Sequence, residues 1–237
     1  MVFYDLDDPV KFAKDYARRG FNSSTDLLAF RDLPQFLAKY VKGKRALDYG
    51  CGPSRSSKFL KDQGFEVVGV DVNQCMVDEA KRQDPTGTYQ LIQSGNLLYS
   101  NKSFDLALIA MVFFEVSTKN EIINIITDIK RVLHPGGILI ASAGTEEFYR
   151  GTRISNRFDF PKNKTQLRSG RRVKNLLLPQ NIILEDYSWS DRDYKDAFAS
   201  AGLTLLEEHR THETDQDGPN WLDEKMVAPH VNYILRA

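Results

Sequence analysis

Apolar residues recur along this chain in two alternating rhythms. Over residues 9–40 they keep helical spacing, with Phe12, Tyr16, Leu27, Leu28, Phe30, Phe36 and Leu37 interrupted by Gly20 and Pro34, which predicts two short helices ahead of any sheet. Arg45–Asp48 predicts a first strand, ending at the turn Tyr49-Gly50-Cys51-Gly52-Pro53, and Ser54 then opens a helix that reaches Gln63. Gly64 stops that helix. Glu66–Asp71, with its run Val67-Val68-Gly69-Val70, predicts a second strand buried on both faces, Gln74–Arg82 the next helix and Thr88–Ile92 a third strand. The continuous apolar run within Phe104–Met111 has the pattern of a central parallel strand. Lys119–Leu133 places Ile122, Ile125, Ile126, Ile129 and Val132 at helical spacing, stops at the turn His134-Pro135-Gly136-Gly137, and yields to a strand over Ile138–Ala141.

This alternation predicts a doubly wound, Rossmann-like α/β fold: a seven-stranded, mostly parallel sheet with helices on both faces. From Gly144 the alternation stops. Residues 145–180 are rich in Arg, Lys, Asn and aromatics, and short runs around Val173–Leu178 and Ile182–Tyr187 predict an inserted β hairpin or lid. A helix over Asp191–Ala201, the stop Gly202, and strands over Leu203–Glu208 and Val231–Arg236 complete the sheet. A length of 237 residues suits a single domain with an insertion. Its parts are an N-terminal helical cover (1–42), a ligand-binding core (43–143), the lid (144–190), and a C-terminal helix with the last strands (191–237).

Composition narrows the class without naming it. Hydrophobic residues at 41% and charged residues at 27% are ordinary for a soluble globule. Thirty-two Lys and Arg balance thirty-two Asp and Glu, so no net field draws in a polyanion and nucleic acid is not an expected partner. No apolar run is long enough to span a bilayer, and Met1–Asp8 carries acids where a secretory leader carries bases, so a cytoplasmic location and no membrane partner are expected. Cys51 and Cys75 are expected as free thiols, and nothing near them forms a metal-ligand set.

The informative segment is Leu47-Asp48-Tyr49-Gly50-Cys51-Gly52-Pro53-Ser54, because the carboxyl end of the first strand is where open α/β sheets bind ligands. Asp71 follows Gly52 by 19 residues, at the end of the second strand, where a carboxylate meets a ribose diol. Two details separate this turn from a dinucleotide fingerprint: Arg55 stands where the third glycine would be, and Asp48 stands two residues before the first. A pyrophosphate gains nothing from Asp48, whereas a ligand with an amino-acid end gains a charge-assisted hydrogen bond. A nicotinamide-dependent oxidoreductase would have to tolerate Arg55 and would leave Asp48 unexplained.

Leu47–Ser54, Gly69-Val70-Asp71-Val72, Ser103-Phe104-Asp105 and Arg131-Val132-Leu133-His134-Pro135-Gly136-Gly137 together resemble the successive motifs of class I S-adenosylmethionine-dependent methyltransferases of the small-molecule, type 11 kind. The resemblance implies that S-adenosyl-L-methionine is the cofactor and S-adenosyl-L-homocysteine the product. It implies that Gly50, Cys51 and Gly52 line the methionine portion, with Ser54 opening the helix beside it and Asp48 near the ammonium group. By the same resemblance Asp71 binds the ribose, Val72 and Met76 flank the adenine, and the loop carrying Gly95, Asn96 and Leu97 approaches its edge. Many relatives place an Asp in that loop; here Gln93 or Asn96 is left to accept from the adenine amino group. Ala110 and Met111 are expected near the sulfonium, and Tyr16 or Arg19 over the cofactor's carboxylate.

Glu115 follows the fourth strand at the active edge, where relatives often carry a polar or histidine residue; it is the candidate catalytic residue, to orient an acceptor or take its proton, with a plain helix-start acid as the alternative. Glu146, Tyr149, Trp189, Trp221 and His230 are further pocket candidates. His134 belongs to the opposite edge of the sheet. Arg168, Arg171, Arg172 and Lys174 form either a solvated face or a surface that steers an acidic acceptor. The expected acceptor is a small molecule held among aromatic walls, with the protein a monomer or homodimer. A non-catalytic cofactor-binding sensor or scaffold is the alternative; a nucleic-acid methyltransferase is disfavoured by the absence of an Asn/Asp-Pro-Pro-aromatic motif.

Overall fold

A computed structural model describes residues 8–20, 24–163, 168–217 and 221–237. The start of the expected N-terminal cover (1–7) and part of the expected lid (164–167) lie outside the described residues. The main sheet has seven strands in the order β3-β2-β1-β4-β5-β10-β9. These are β1 Arg45–Tyr49, β2 Glu66–Asp71, β3 Thr88–Leu91, β4 Phe104–Ala110, β5 Leu133–Gly144, β9 Thr204–Arg210 and β10 His230–Arg236. The first five pair in parallel, and β10 runs antiparallel between β5 and β9.

Side chains alternate across the strands and divide the core in two. Leu47, Ala107, Ile109, Leu139 and Tyr233 pack against α6 (Lys119–Val132) and α7 (Asp191–Ser200). Ala46, Leu106, Leu108, Ile140 and Ile234 pack on the other side against α3 (Leu33–Tyr40) and α4 (Arg55–Asp62). Burying each such Leu or Ile contributes about 1.5–3 kcal/mol. A further helix, α5 (Gln74–Gln83), is capped by Asn73, whose side chain accepts from the Cys75 N–H.

Several expectations change in detail. Three helices, not two, precede the sheet: α1 Pro9–Ala17, α2 Asp26–Phe30 and α3. The extra helix, α2, is tied to the sheet by Asn232, which donates to Ala29 O at 2.9 Å. Ser54 does not act as a helix cap through its side chain; at φ +80° it turns the chain, and α4 begins at Arg55. Strand β5 starts at Leu133, because Leu133 pairs with Phe104 and Ile138 with Leu106, so His134–Gly137 bulge out of the ladder. That bulge is held by the chain end, through Gly136 N–H to Ala237 O and Ala237 N–H to Gly137 O.

The insertion folds as a separate antiparallel sheet of three strands, β6 Asn156–Arg157, β7 Arg171–Leu177 and β8 Ile182–Ser188. Val173, Asn175 and Leu177 face inward from β7, and Arg171, Arg172 and Lys174 face solvent, with Arg172 paired to Glu185 at 3.1 Å. Contacts that join the insertion to the core include a hydrogen bond and an aromatic stack. Trp189 Nε1 donates to Val116 O at 3.0 Å, and Phe148 stacks on Phe114 with ring centres 5.2 Å apart.

Candidate active site

The carboxyl ends of β1, β2 and β4 open into one cleft. Its floor is the turn after β1. Gly50 and Cys51 both donate to Val70 O, at 2.8 and 3.0 Å, which holds the turn against the end of β2. Gly50 has φ +75°, and a Cβ there would lie 2.2 Å from the Val112 side chain; at Gly52 a Cβ would meet nothing within 4 Å. The first glycine therefore packs against the segment after β4, and the second leaves bare backbone facing the cleft.

Asp71 ends β2 and lines the cleft. Its Oδ2 accepts from Gly52 N–H and its Oδ1 from Asn73 N–H, both at 2.9 Å, so one carboxylate joins the two strand-end turns. Burial pushes its pKa up, while those backbone N–H groups favour the charged form. Val72, Met76, Ile92 and Ile125 form an apolar slot beside it. At the end of β4, Met111 adopts φ +64°, a conformation that turns the chain back so that Val112 and Glu115 enter the wall.

Of the residues singled out from sequence, Tyr16, Gly50, Cys51, Gly52, Asp71, Val72, Met76, Ala110, Met111 and Glu115 line this cleft. Asp48, Ser54, Arg19, Gly95, Asn96 and Leu97 lie outside its wall. Asp48 is only 1% exposed and lies under the turn, where Oδ2 accepts from Ser56 Oγ (2.7 Å) and Ser57 Oγ (2.6 Å). Burial pushes its carboxyl up to about 6, against the pull of those two hydroxyls. Strand alternation is the reason: Leu47 and Tyr49 pack on the α6 face, which sends Asp48 toward the start of α4. Ser54 is fully buried. The 95–97 loop is drawn away by Gly95 N–H to Tyr49 OH (2.9 Å), Leu97 N–H to Asp128 (2.5 Å) and Arg131 to Leu97 O (2.9 Å). Ile92 and Ser94 take its place in the wall, and Gln93 stays outside it with Asn96.

Arg19 borders an adjoining hollow shared with Tyr16 and Arg55. It is 5% exposed, donates from Nε to Asp26 at 3.0 Å and from Nη2 to Ser155 at 3.1 Å, and leaves Nη1 without a partner among the described residues. Arg55 also pairs with Asp26, at 2.9 Å. Against a burial penalty that would raise it, the two guanidiniums hold the Asp26 carboxyl well below the usual range. From Ser155 a buried chain runs through Asn156 and Asn175 to Asp186, each link 2.9–3.0 Å.

Sequence patterning missed that chain and its end point. Asp186, on β8, is 3% exposed and accepts from Asn175 and from Tyr149 OH. Burial pushes it up to about 7. Burial, reinforced by Asp186, pushes Glu115 up to about 8. Also missed were Tyr49, Arg55 and Ser56, which lay inside the motif, and Glu121 with Ile125, whose i,i+4 spacing on α6 was the available signal. Among the remaining pocket candidates, Glu146 is exposed, Trp189 packs in the core and Trp221 donates to Asp217 O. His230 is buried against Phe148, pushed down to about 4 by burial and hence neutral. His134 sits in the β5 bulge, away from the cleft.

Residues 47–141 match a family model described as a methyltransferase domain. An uncharacterized methyltransferase of Synechocystis is 31% identical over 109 residues, 46% of this chain and 51% of that protein. A demethylmenaquinone methyltransferase of Beutenbergia cavernae is 32% identical over 100 residues, 42% of this chain and 40% of the relative. The chain thus spans about half, or less, of the length of these curated relatives. Over nearly the whole chain the fold is that of the CcbJ methyltransferase from Streptomyces caelestis, with TM-score 0.66, 16% identity, and 95% and 96% of the two chains covered.

Proposed function

We propose that this chain, which carries a class I methyltransferase domain, catalyses transfer of a methyl group from S-adenosylmethionine to a small-molecule acceptor. The observation that carries the proposal is Asp71 at the tip of β2, bonded to Gly52 N–H across the glycine turn and facing the cleft. A carboxylate offers about four lone-pair sites, so acceptor capacity remains for a ribose hydroxyl after the backbone N–H groups of Gly52 and Asn73 are served. The bare backbone at Gly52 and the orphaned Nη1 of Arg19 suit the amino-acid end of such a cofactor, and the slot of Val72, Met76, Ile92 and Ile125 suits its adenine.

When bound, the cofactor supplies an electrophilic methyl on a sulfonium and leaves as S-adenosylhomocysteine. The protein's part is to hold the acceptor in line, which in well-oriented reactions supplies roughly 7–11 kcal/mol of the barrier reduction. Gly50, Cys51 and Gly52 would offer backbone to the cofactor, Tyr16, with Arg19 from the adjoining hollow, would hold its carboxylate end, and Ala110 and Met111 would lie beside its sulfonium. Asp48 acts indirectly: through Ser56 and Ser57 it fixes the start of α4 and with it the turn. A cytoplasmic setting belongs to this proposal, because Cys51 and Cys75 are free thiols, as a reducing compartment keeps them.

Incubation of the protein with methyl-labelled S-adenosylmethionine and the small-molecule fraction of a cell extract tests the proposal. The expected result is label in a small product with matching release of S-adenosylhomocysteine. A protein that binds the cofactor yet labels nothing in that fraction contradicts catalysis on a small molecule and favours a sensor.

A further inference from the structure

We infer that Glu121 of α6 recognises the adenine of the cofactor, its carboxylate accepting a hydrogen bond from the exocyclic amino group; this rests on the methyltransferase reading above. The chain brings that carboxylate to the slot step by step. Ile92 N–H donates to the backbone O of Asp71, the proposed ribose ligand, at 2.9 Å, which sets Ile92 at the ribose end of the slot. Ser94 follows two residues later in the same wall. The loop then lies against α6, where a Cβ on Gly95 would stand 3.6 Å from the backbone of Asn124 and Ile125. Ile125 forms part of the apolar slot, and Glu121, one turn earlier on the same helix face, lines the cleft beside it.

Local sequence alone would aim Glu121 elsewhere. Thr118-Lys119-Asn120-Glu121 has the pattern of a capping box, in which the acid at the third helical position reaches back to the N–H of the cap residue. Half of the box forms: Thr118 Oγ1 accepts from Glu121 N–H at 3.2 Å. The reciprocal bond is absent among the described residues, and Oε1 of Glu121 instead accepts from the Ser94 hydroxyl, also at 3.2 Å. Among the described residues the carboxylate has no ion pair and Oε2 has no donor, while the preceding Lys119 is paired to Asp193 and Asp196 at 2.9 and 3.0 Å. A carboxylate turned out of its cap and into the cleft wall is left with an oxygen to offer a ligand.

The other groups of the slot do not compete for that role. Val72, Met76, Ile92 and Ile125 cover the faces of a planar base and give its edge no strong acceptor. Gln93 and Asn96 stand outside the wall, joined by Asn96 N–H to Gln93 O at 3.0 Å. Of the other carboxylates in the cleft wall, Asp71 is bonded to the two strand-end turns and Glu115 belongs to the segment after β4. An amino N–H bonded to a carboxylate is roughly twice as strong as a bond between neutral groups, so Glu121 separates a base that carries the amino group from one that lacks it.

Calorimetric titration of wild type, Glu121→Ala and Glu121→Gln with S-adenosylhomocysteine and with its 6-deamino analogue, in which purine replaces adenine, tests this as a double-mutant cycle. Wild type is expected to bind S-adenosylhomocysteine about ten-fold or more tightly than the analogue. Glu121→Ala lowers S-adenosylhomocysteine affinity about ten-fold and leaves that of the analogue nearly unchanged, so the ratio falls close to one. Glu121→Gln keeps a neutral amide oxygen and falls between. Glu121 is half-exposed in the first turn of α6 and its backbone keeps the Thr118 cap in every variant, so the helix is retained. Ser94→Ala, which leaves α6 untouched and removes the hydroxyl that orients the carboxylate, lowers the ratio about two- to three-fold. Indifference of the wild type to the amino group, an unchanged ratio in Glu121→Ala, or an equal loss of both ligands in that variant overturns the role of Glu121 alone. Failure of the wild-type protein to bind S-adenosylhomocysteine overturns the methyltransferase reading with it.

Discussion

Asp71→Ala is expected to lower affinity for S-adenosylmethionine at least about 100-fold and to cost about 2 kcal/mol of stability. Two losses add. The carboxylate's bonds to a ribose diol are charge-assisted, each contributing roughly 1.5–3 kcal/mol, so losing both accounts for the affinity change. The Gly52 and Asn73 N–H groups, each held at 2.9 Å in the wild type, lose their acceptor, and the turn they brace loosens. Calorimetry and urea unfolding separate the two effects. Asp71→Asn makes the sharper control, because its one amide oxygen can keep one of the two backbone bonds while the charge is gone.

Asp26→Ala is expected to cost about 3–5 kcal/mol, the penalty for leaving a buried charge unpaired. Arg19 and Arg55 both rely on this carboxylate, at 3.0 and 2.9 Å, and the Arg19 side chain is nearly fully buried. Because the folded protein holds the Asp26 carboxyl below its ordinary range, its contribution is complete above about pH 4 and is lost only as the pH falls through the depressed native value. Urea unfolding should therefore show a constant gap between variant and wild type from neutral pH to about pH 4 that narrows only in stronger acid. An equal stability at pH 7 would mean that the ion pair does not anchor the N-terminal helices.

The sequence carried the β1–α4–β2 unit almost completely, because its signals are local. Glycines mark the turn, an apolar run marks each buried strand, and Asp71 follows at fixed spacing. It also carried the parallel core and the break at Gly144. Asp48 shows what motif matching leaves out: strand alternation alone sends it to the face opposite Tyr49, under the turn rather than into the cleft. The 95–97 loop stands outside the cleft wall, bonded instead to Asp128 and Arg131 of α6, contacts that no local pattern encodes. Least legible was the buried polar chain. Arg19 meets Ser155 and Thr25 meets Glu224 across 136 and 199 residues, and no periodicity encodes contacts so distant. Strand β6, two residues long, likewise exists only through its pairing with β7.

The central claim is that the cleft between the glycine turn and Asp71 holds S-adenosylmethionine. Calorimetric titration of the purified protein with S-adenosylmethionine, S-adenosylhomocysteine and NAD tests it most directly. The structure predicts micromolar or tighter binding of the first two, one per chain, and none of NAD; binding of NAD in their place, or of none of the three, would contradict it.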